Sequence, residues 1–311
     1  MPAQRFYYNE FGTYLRRIFG CKVQKITLDG GFTCPNRDGT KGWGGCTYCN
    51  NQTFNPAYCH RHRPVHEQMQ EGIAFFSHKY PEMRYLAYFQ AYTNTYASLG
   101  HLKQLYEEAL QVDGCVGVVI GTRPDCMPDE LLDYLQQLSK QTFVLVEYGI
   151  ESVNDATLRR INRGHDYAMA VDAVERTSAR DIPVGAHIIL GLPGEDKAEL
   201  MHQAVELSRL PLTTLKLHQL QLIRGTRMAS EYAGSPGEFH LFSLNEYVET
   251  VVDYVERLRP SLVLERFASQ SPKELLIAPD WGLKNHELVE KVKRRMRERD
   301  TWQGKLFNSS F

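Results

Sequence analysis

The fold class is decided by the stretch from Lys22 to Phe54, KVQKITLDGGFTCPNRDGTKGWGGCTYCNNQTF. Its first seven residues have the apolar and β-branched content of a buried strand. A loop rich in Gly, Asn and Pro follows at once and places Cys34, Cys46 and Cys49 in a C-x11-C-x2-C pattern. Functional groups in β/α folds gather at the carboxyl ends of strands. The stretch therefore predicts the first strand of an α/β sheet with a ligand-binding loop at its end.

The rest of the chain repeats the strand and helix alternation of a parallel sheet. The predicted strands are KVQKITL (22–28), RYLAYF (84–89), CVGVVIG (115–121), FVLVEYGI (143–150), PVGAHIIL (183–190) and TLKLHQLQLI (214–223). Six units are fewer than the eight of a complete barrel. A further helix is predicted from Leu241 to Leu258, after which the alternation stops. We therefore expect a partial (β/α)6 TIM-like barrel over residues 1–240 and a C-terminal helical extension, residues 241–311, packed on it.

Composition indicates an ordinary globular protein with no evident charged partner. Hydrophobic residues make up 42% of the chain, and 36 Lys and Arg nearly cancel 37 Asp and Glu. The longest apolar runs are far shorter than the roughly 20 residues that span a bilayer, and the N-terminus lacks the apolar core of a signal peptide. We expect a cytoplasmic protein with no membrane segment. Seven cysteines are too few and odd in number for a disulfide framework, which favours thiolate chemistry.

Two kinds of site fit the cysteine loop. A 4Fe-4S cluster held by Cys34, Cys46 and Cys49 would keep one iron open to an outside ligand. A structural zinc ion would need a fourth thiolate, for which Cys59 is available. Spacing alone does not separate the two, but a loop at the carboxyl end of a barrel strand favours a functional cluster.

Several motifs give the chain a specific family resemblance. The cysteine loop resembles that of the radical S-adenosylmethionine (SAM) superfamily, in which an aromatic residue, here Tyr48, precedes the third cysteine. TRPD (122–125), NRGH (162–165) and LIRGT (222–226) resemble segments of the radical SAM core of the Elongator catalytic subunit family, in the same order. CPNRDG, GTRPDC and GLPGE are similar to the YhcC/YtqA-type subfamily. The resemblance covers roughly residues 21 to 230.

The resemblance implies two cofactors and a set of residues that bind them. A 4Fe-4S cluster would lie in a cluster loop at residues 30–52, with SAM on its open iron. The implied SAM-binding residues are Tyr48, Gln90, Tyr92, Thr93, Glu151, Arg163 and His187. QAYTNT (90–95) stands where the superfamily has a glycine-rich turn, so side chains would replace some backbone contacts there.

Three of these implied residues, and several further candidates, also have a simpler structural explanation. Glu151 could be a helix-capping acid, Arg163 a surface arginine at a helix end, and His187 a hydrogen-bonded core histidine. Cys126, after TRPD, is a candidate catalytic thiol, although a small buried cysteine is the commoner case. His60, His62 and His66 could bind phosphate or a metal, and the basic run 291–300 could contact RNA; a solvated loop and an exposed helix face are the ordinary interpretations.

The implied activity is reductive cleavage of SAM to a 5′-deoxyadenosyl radical that abstracts a hydrogen atom, with an electron donor such as flavodoxin or ferredoxin. The Elongator-like core implies transfer RNA as a partner, with the side chain of a wobble uridine as the target. The Elongator family also has an acetyltransferase domain, and too little sequence follows residue 230 for one. The chain is therefore expected to modify a side chain that another enzyme installs. A small metabolite or a protein as substrate, and a non-catalytic zinc-stabilised RNA-binding protein, are the alternatives.

Overall fold

The computed structural model describes residues 6–50, 56, 58–77 and 82–308; residues 51–52 of the predicted cluster loop lie outside these ranges. The strands are β1 Val23–Leu28, β2 Arg84–Phe89, β3 Cys115–Thr122, β4 Phe143–Glu151, β5 Val184–Leu190, β6 Thr214–Gln219, β7 Leu222–Ile223, β8 Val263–Arg266 and β9 Leu276–Ala278. The helices are α1 Phe11–Phe19, α2 Val65–Ser77, α3 Leu99–Leu110, α4 Asp129–Ser139, α5 Asp155–Arg160, α6 Tyr167–Ser178, α7 Lys197–Arg209, α8 Arg227–Gly234, α9 Leu244–Arg257 and α10 Asn285–Glu298. Short 3-10 helices lie at Pro124–Cys126 and Pro236–Glu238.

Seven parallel strands form one curled sheet in the order β1-β2-β3-β4-β5-β6-β8. Neighbouring strands of the sheet run parallel to each other, so each pair needs a crossover connection between its two strands. This confirms the α/β partial barrel, and the first five predicted strands agree closely with those observed. The sixth prediction, 214–223, is wrong in its length: it is divided into β6 and β7, and β7 pairs with β9 in a separate antiparallel sheet. The sheet has one strand more than predicted, since β8 lies in the segment expected to be an extension. β8 has only four residues, VLER, and half of them are charged, so it lacks the apolar run by which the other strands were found. The domain boundary at residue 240 remains a prediction.

The sheet buries a different set of residues on each face. The outward-facing side chains of β2 to β5, among them Phe89, Ile120 and Val146, pack against the crossover helices in the main core. On the inner face Leu86, Val119 and Leu145 pack against Phe11 and Leu15 of α1. α1 therefore closes the amino-terminal end of the half-barrel, which leaves the carboxyl ends of the strands as its open side.

The C-terminal helices pack on the barrel through ion pairs as well as apolar contacts. α9 packs between α7 and α10, and a capping box of Ser243 and Glu246 begins it. In the predicted basic run 291–300, Arg295 pairs with Glu249 (2.5 Å) and Arg299 with Asp253 (2.7 Å). Much of the run's charge is thus neutralised within the protein, which favours the helix-face interpretation over RNA contact. None of the helices in the described ranges is long and apolar enough to cross a membrane.

Candidate functional site

A cavity of about 1240 Å³, including its open mouth, lies at the carboxyl ends of the sheet strands. Because parallel strands end at the same edge, residues far apart in sequence meet there. The loops after β1 to β4 and after β6, two residues of β5 itself, and the residues that end and follow β8 all contribute to its wall. Ten of the predicted site residues line it: Cys34, Cys46, Tyr48, Cys49, Gln90, Tyr92, Thr93, Glu151, Arg163 and His187. Cys126 does not.

The cluster loop is held in place by the NRGH segment. Asn36 is buried, and its Nδ2 donates to the carbonyl of Asn162 at 2.6 Å and lies 3.7 Å from the Cys46 sulfur. Asn162 in turn donates from its own Nδ2 to the carbonyl of Gly45 at 2.8 Å. Asn162 has a left-handed backbone (φ 54°), which Asn tolerates better than most residues. The two sequence motifs therefore form one structural unit around the second cysteine.

Cationic side chains surround the cysteines. Arg163 is 6% exposed, and its Nη1 lies 3.5 Å from the Cys46 sulfur. Arg37 donates to the carbonyl of Cys49 at 2.9 Å. Burial and the neighbouring Cys46 raise the pKa of the Cys49 thiol to about 11, against the opposing effect of Arg37. All seven cysteines are free thiols. Donors aimed at cysteine sulfurs stabilise thiolates that bind iron, so the donor set fits a cluster.

The arrangement does not fit a four-thiolate zinc site. Zinc holds its ligands about 2.3 Å from one point, and among the described residues no group of three or more His, Cys, Asp or Glu side chains could hold a metal ion. Cys59 is buried outside the cavity. Burial and nearby Asp29 raise the pKa of its thiol to about 12. Cys59 is therefore a protonated core residue and not a fourth ligand to Cys34, Cys46 and Cys49.

The turn after β2 has the shape of a glycine turn although it contains no glycine. Ala91 and Tyr92 both adopt left-handed backbone angles (φ 60° and 59°), which side chains other than Gly disfavour by about 1–3 kcal/mol. The hydroxyl of Thr93 is buried with no hydrogen-bond partner within the described protein. Strain and an unsatisfied polar atom at a cavity wall are typical of ligand-binding sites.

Glu151 and Arg163 lie side by side at the end of β4. Arg163 donates to the carbonyl of Gly149, and its Nη2 is 3.7 Å from the Glu151 carboxylate. Asn154, not Glu151, caps the following helix, and Arg163 is buried. Both simple alternatives, a capping acid and a surface arginine, are therefore wrong. Glu151 also has a left-handed backbone (φ 72°), which places a second strained residue at the cavity.

His187 lies at the cavity wall, and it is also hydrogen-bonded within the protein. Its ring lines the cavity, and its Nε2 lies 3.0 Å from the Glu147 carboxylate. Burial and nearby Lys216 lower the pKa of His187, so the ring is neutral at pH 7. It is a hydrogen-bonded histidine that also contacts the cavity.

Sequence reasoning missed a buried charged layer between α1 and the cavity. The Glu147 carboxylate is 2.6 Å from Lys25 and 2.5 Å from Lys216, and Glu265 is 2.7 Å from Lys25. Although burial alone would raise it, Lys216 and Lys25 hold the pKa of Glu147 well below its usual value. Lysine and glutamate inside otherwise apolar strands were the available signal, because side chains at alternate positions of a barrel strand point inward.

The remaining sequence candidates lie away from the cavity. Cys126 is buried behind Asp125, and burial with the charge of Asp125 raises the pKa of its thiol to about 12. Its position favours the small buried residue over a catalytic thiol.

Arg123, which the sequence did not single out, lines the cavity and forms two 2.9 Å hydrogen bonds to Asp125.

In the described part of the histidine-rich loop, the histidines do not come together as a metal site. His60 and His62 are exposed, and His66 lies 2.7 Å from Glu108. No metal-binding group forms there among the described residues.

Comparison with known proteins agrees with the geometry. The model of the radical SAM superfamily matches residues 34–204, and that of the radical SAM C-terminal domain matches residues 212–298. The protein YtqA of Bacillus subtilis (strain 168) is 37% identical over 300 residues, which are 96% of this chain and 92% of YtqA.

Two matches concern proteins with an Elongator-like core. The tRNA uridine(34) acetyltransferase of Methanocaldococcus infernus is 26% identical over 191 residues, 60% of this chain and 34% of that protein. The structure of Elp3 from the same organism, lacking residues 1–46, superposes with a TM-score of 0.68 and 16% identity, over 90% of this chain and 64% of that one. The structural match shows a shared fold.

Proposed function

The chain belongs to the radical SAM superfamily and is a radical SAM enzyme, and from that premise we propose that it modifies the side chain at carbon 5 of a wobble uridine in transfer RNA. Its cofactors are a 4Fe-4S cluster and SAM. Membership of the superfamily removes the alternative of a non-catalytic zinc protein.

We assign the cluster to the thiolates of Cys34, Cys46 and Cys49, which share one wall of the cavity with the guanidinium of Arg163. When bound and reduced, by a donor such as flavodoxin or ferredoxin, the cluster supplies the electron that cleaves SAM to methionine and a 5′-deoxyadenosyl radical. Three thiolates leave one iron open for SAM. Arg163 keeps its positive charge beside the cluster site. Burial alone would lower its pKa, but interactions with Tyr48, Cys46 and Glu151 raise it above its usual value.

Two polar atoms that have no partner among the described residues support the SAM contacts. The Thr93 hydroxyl and Arg163 Nε are buried and unpaired within the described residues, and Glu151 is available beside them. We assign Gln90, Tyr92 and Thr93 to the methionine part of SAM, and Glu151 and His187 to its nucleoside part. A sheltered site of this kind orients the reacting groups and excludes water.

The single observation that supports transfer RNA is the similarity to tRNA uridine(34) acetyltransferase over 60% of this chain. The same fold recurs in Elp3. On this proposal the chain uses the radical chemistry of that core on a uridine side chain that another enzyme has installed.

Nucleoside analysis of transfer RNA tests the proposal. Total transfer RNA from a strain lacking the gene and from its complemented parent is digested and compared by mass spectrometry. We expect one modified uridine to be lost and its precursor to accumulate, with reversal by the wild-type gene but not by a Cys46→Ala gene. An unchanged nucleoside profile would refute the RNA substrate and direct the search to metabolites and proteins.

A further inference from the structure

Arg266, at the end of β8, is a cation without a carboxylate partner among the described residues. It lines the cavity, and its Nη2 donates a 3.2 Å hydrogen bond to Nε2 of His218. Its Nε is buried and has no acceptor in the described part of the chain. No Asp or Glu of the described chain lies within ion-pair distance of it. A guanidinium has five N–H donors, so most of those of Arg266 have no acceptor among the residues that the structure describes.

The neighbouring charges do not neutralise Arg266. Glu147 and Glu265 are the carboxylates of the charged layer, and Lys25 and Lys216 contact both of them. Two carboxylates and two ammonium groups balance, so Arg266 remains as one excess positive charge at the inner end of the cavity. Arg266 is half-buried, and a charge that is partly removed from water without a partner is costly unless a ligand compensates it.

The hydrogen-bond chain from Arg266 leaves a second donor available. Arginine can only donate, so Nε2 of His218 accepts, and the proton of the neutral ring lies on Nδ1. Nδ1 is 2.8 Å from the Ser269 hydroxyl, which must therefore accept from it. The hydroxyl hydrogen of Ser269 then has no acceptor among the described residues. Ser269 lines the same cavity, and its backbone is held in place by two hydrogen bonds with the Gln219 side chain, at 3.0 and 2.9 Å.

We propose that Arg266 and Ser269 form an oxyanion-binding subsite that holds a carboxylate or phosphate group of the substrate in the cavity. The inference deepens the proposed function and rests on it. The oxyanion is either an acidic group on the uridine side chain or a phosphate of the RNA backbone. Arginine suits both, because its planar fork matches the geometry of two oxygens.

The first test compares variants of the reconstituted enzyme on transfer RNA from the deletion strain. We expect Arg266→Gln to lower kcat/KM for transfer RNA by roughly 10- to 100-fold, as the loss of a hydrogen bond to a charged group does. Arg266→Lys should recover part of the loss, because it restores the charge without the fork. Ser269→Ala should cost roughly 3- to 10-fold. Arg294→Gln, an exposed helix residue, is the matched control and should behave as the wild type.

A purely structural role would give a different pattern. If Lys were as poor as Gln at position 266, or if Gln were within twofold of the wild type, the subsite would be refuted. Should Arg266→Gln fail to fold, Arg266→Lys and Ser269→Ala decide: wild-type kcat/KM in both would refute the subsite.

The second test identifies the source of the oxyanion. The nucleoside that accumulates in the deletion strain is treated with acidic methanol, which adds one methyl group to each carboxylic acid. A shift of about 14 mass units on its side chain, together with the loss in Arg266→Gln, assigns the oxyanion to the uridine. No shift, with the same loss, assigns it to a backbone phosphate. A neutral nucleoside and an unaffected Arg266→Gln refute the subsite alone, whereas an unchanged nucleoside profile refutes the proposed function and the subsite together.

Discussion

Glu147→Gln should destabilise the protein strongly, because Glu147 is the centre of the buried charged layer. Its carboxylate is 1% exposed and lies 2.6 and 2.5 Å from two ammonium groups. Gln preserves the shape of the side chain but removes the charge. At an effective dielectric constant of about 20, each contact is worth roughly 6 kcal/mol before desolvation. Removing one partner of a buried pair costs about 3–5 kcal/mol. Since Glu265 still contacts both lysines, we expect about 3 kcal/mol.

The assay is urea unfolding at pH 7, with Glu298→Gln as the matched control. Glu298 is 51% exposed and pairs with two arginines, so its loss should cost less than about 1 kcal/mol. The double variant Glu147→Gln/Lys216→Met removes one charge of each sign. It should lose at least about 1 kcal/mol less than the sum of the single losses. A loss below about 1 kcal/mol for Glu147→Gln, or strict additivity in the double variant, would refute the account of the layer.

The same variant has a defined pH dependence. The folded-state pKa of Glu147 lies well below its ordinary value of 4.5, so its stabilisation is complete above about pH 4.5 and is lost as the pH falls towards the folded pKa. The difference in unfolding free energy between wild type and Glu147→Gln should therefore be constant near neutrality and shrink below about pH 4.5. A difference that grows on acidification would contradict this sign.

Three further outcomes are expected. Cys46→Ala should abolish both bound iron after anaerobic reconstitution and 5′-deoxyadenosine formation from SAM, whereas Cys59→Ala should keep both; iron loss in Cys59→Ala would contradict its place outside the site. Asn162→Ala should lose the cluster faster in air than Asn162→Gly, because both lack the hydrogen bond to the Gly45 carbonyl but only Ala is strained at φ 54°. The rate of loss is measured from the absorbance of the bound cluster over time, and equal rates would exclude strain as the cause. Burial raises the pKa of Glu195 to about 7 from an ordinary 4.5, so the stability of the wild type should fall as the pH rises from 4.5 through 7. In urea unfolding, Glu195→Gln should therefore gain about 2–3 kcal/mol relative to wild type between pH 5 and 8. A difference that does not change with pH would contradict the raised pKa.

The class of the fold could be predicted from the sequence alone, and so could three candidate cluster ligands. Strands such as RYLAYF and FVLVEYGI are apolar at most positions, which is typical of parallel strands buried on both faces. Cys34, Cys46 and Cys49 are local in the chain, so their spacing alone indicates a shared ligand. The turn at Ala91 and Tyr92 is different: its sequence lacks glycine, and only the backbone angles show that it keeps the glycine-like shape.

Which side chains lie at the inner end of the cavity could be seen only in the tertiary structure. Lys25, Glu147 and Arg266 come from strands up to 241 positions apart (266 − 25), and nothing in their local sequences shows that they meet. They meet because the sheet curls and brings the inner faces of β1, β4 and β8 together. The same closure leaves Cys126 outside the cavity although it follows a strand end. Spacing along the chain specifies contacts within one loop or helix, whereas contacts across a barrel depend on register and curvature, which are set by the packing of the whole sheet.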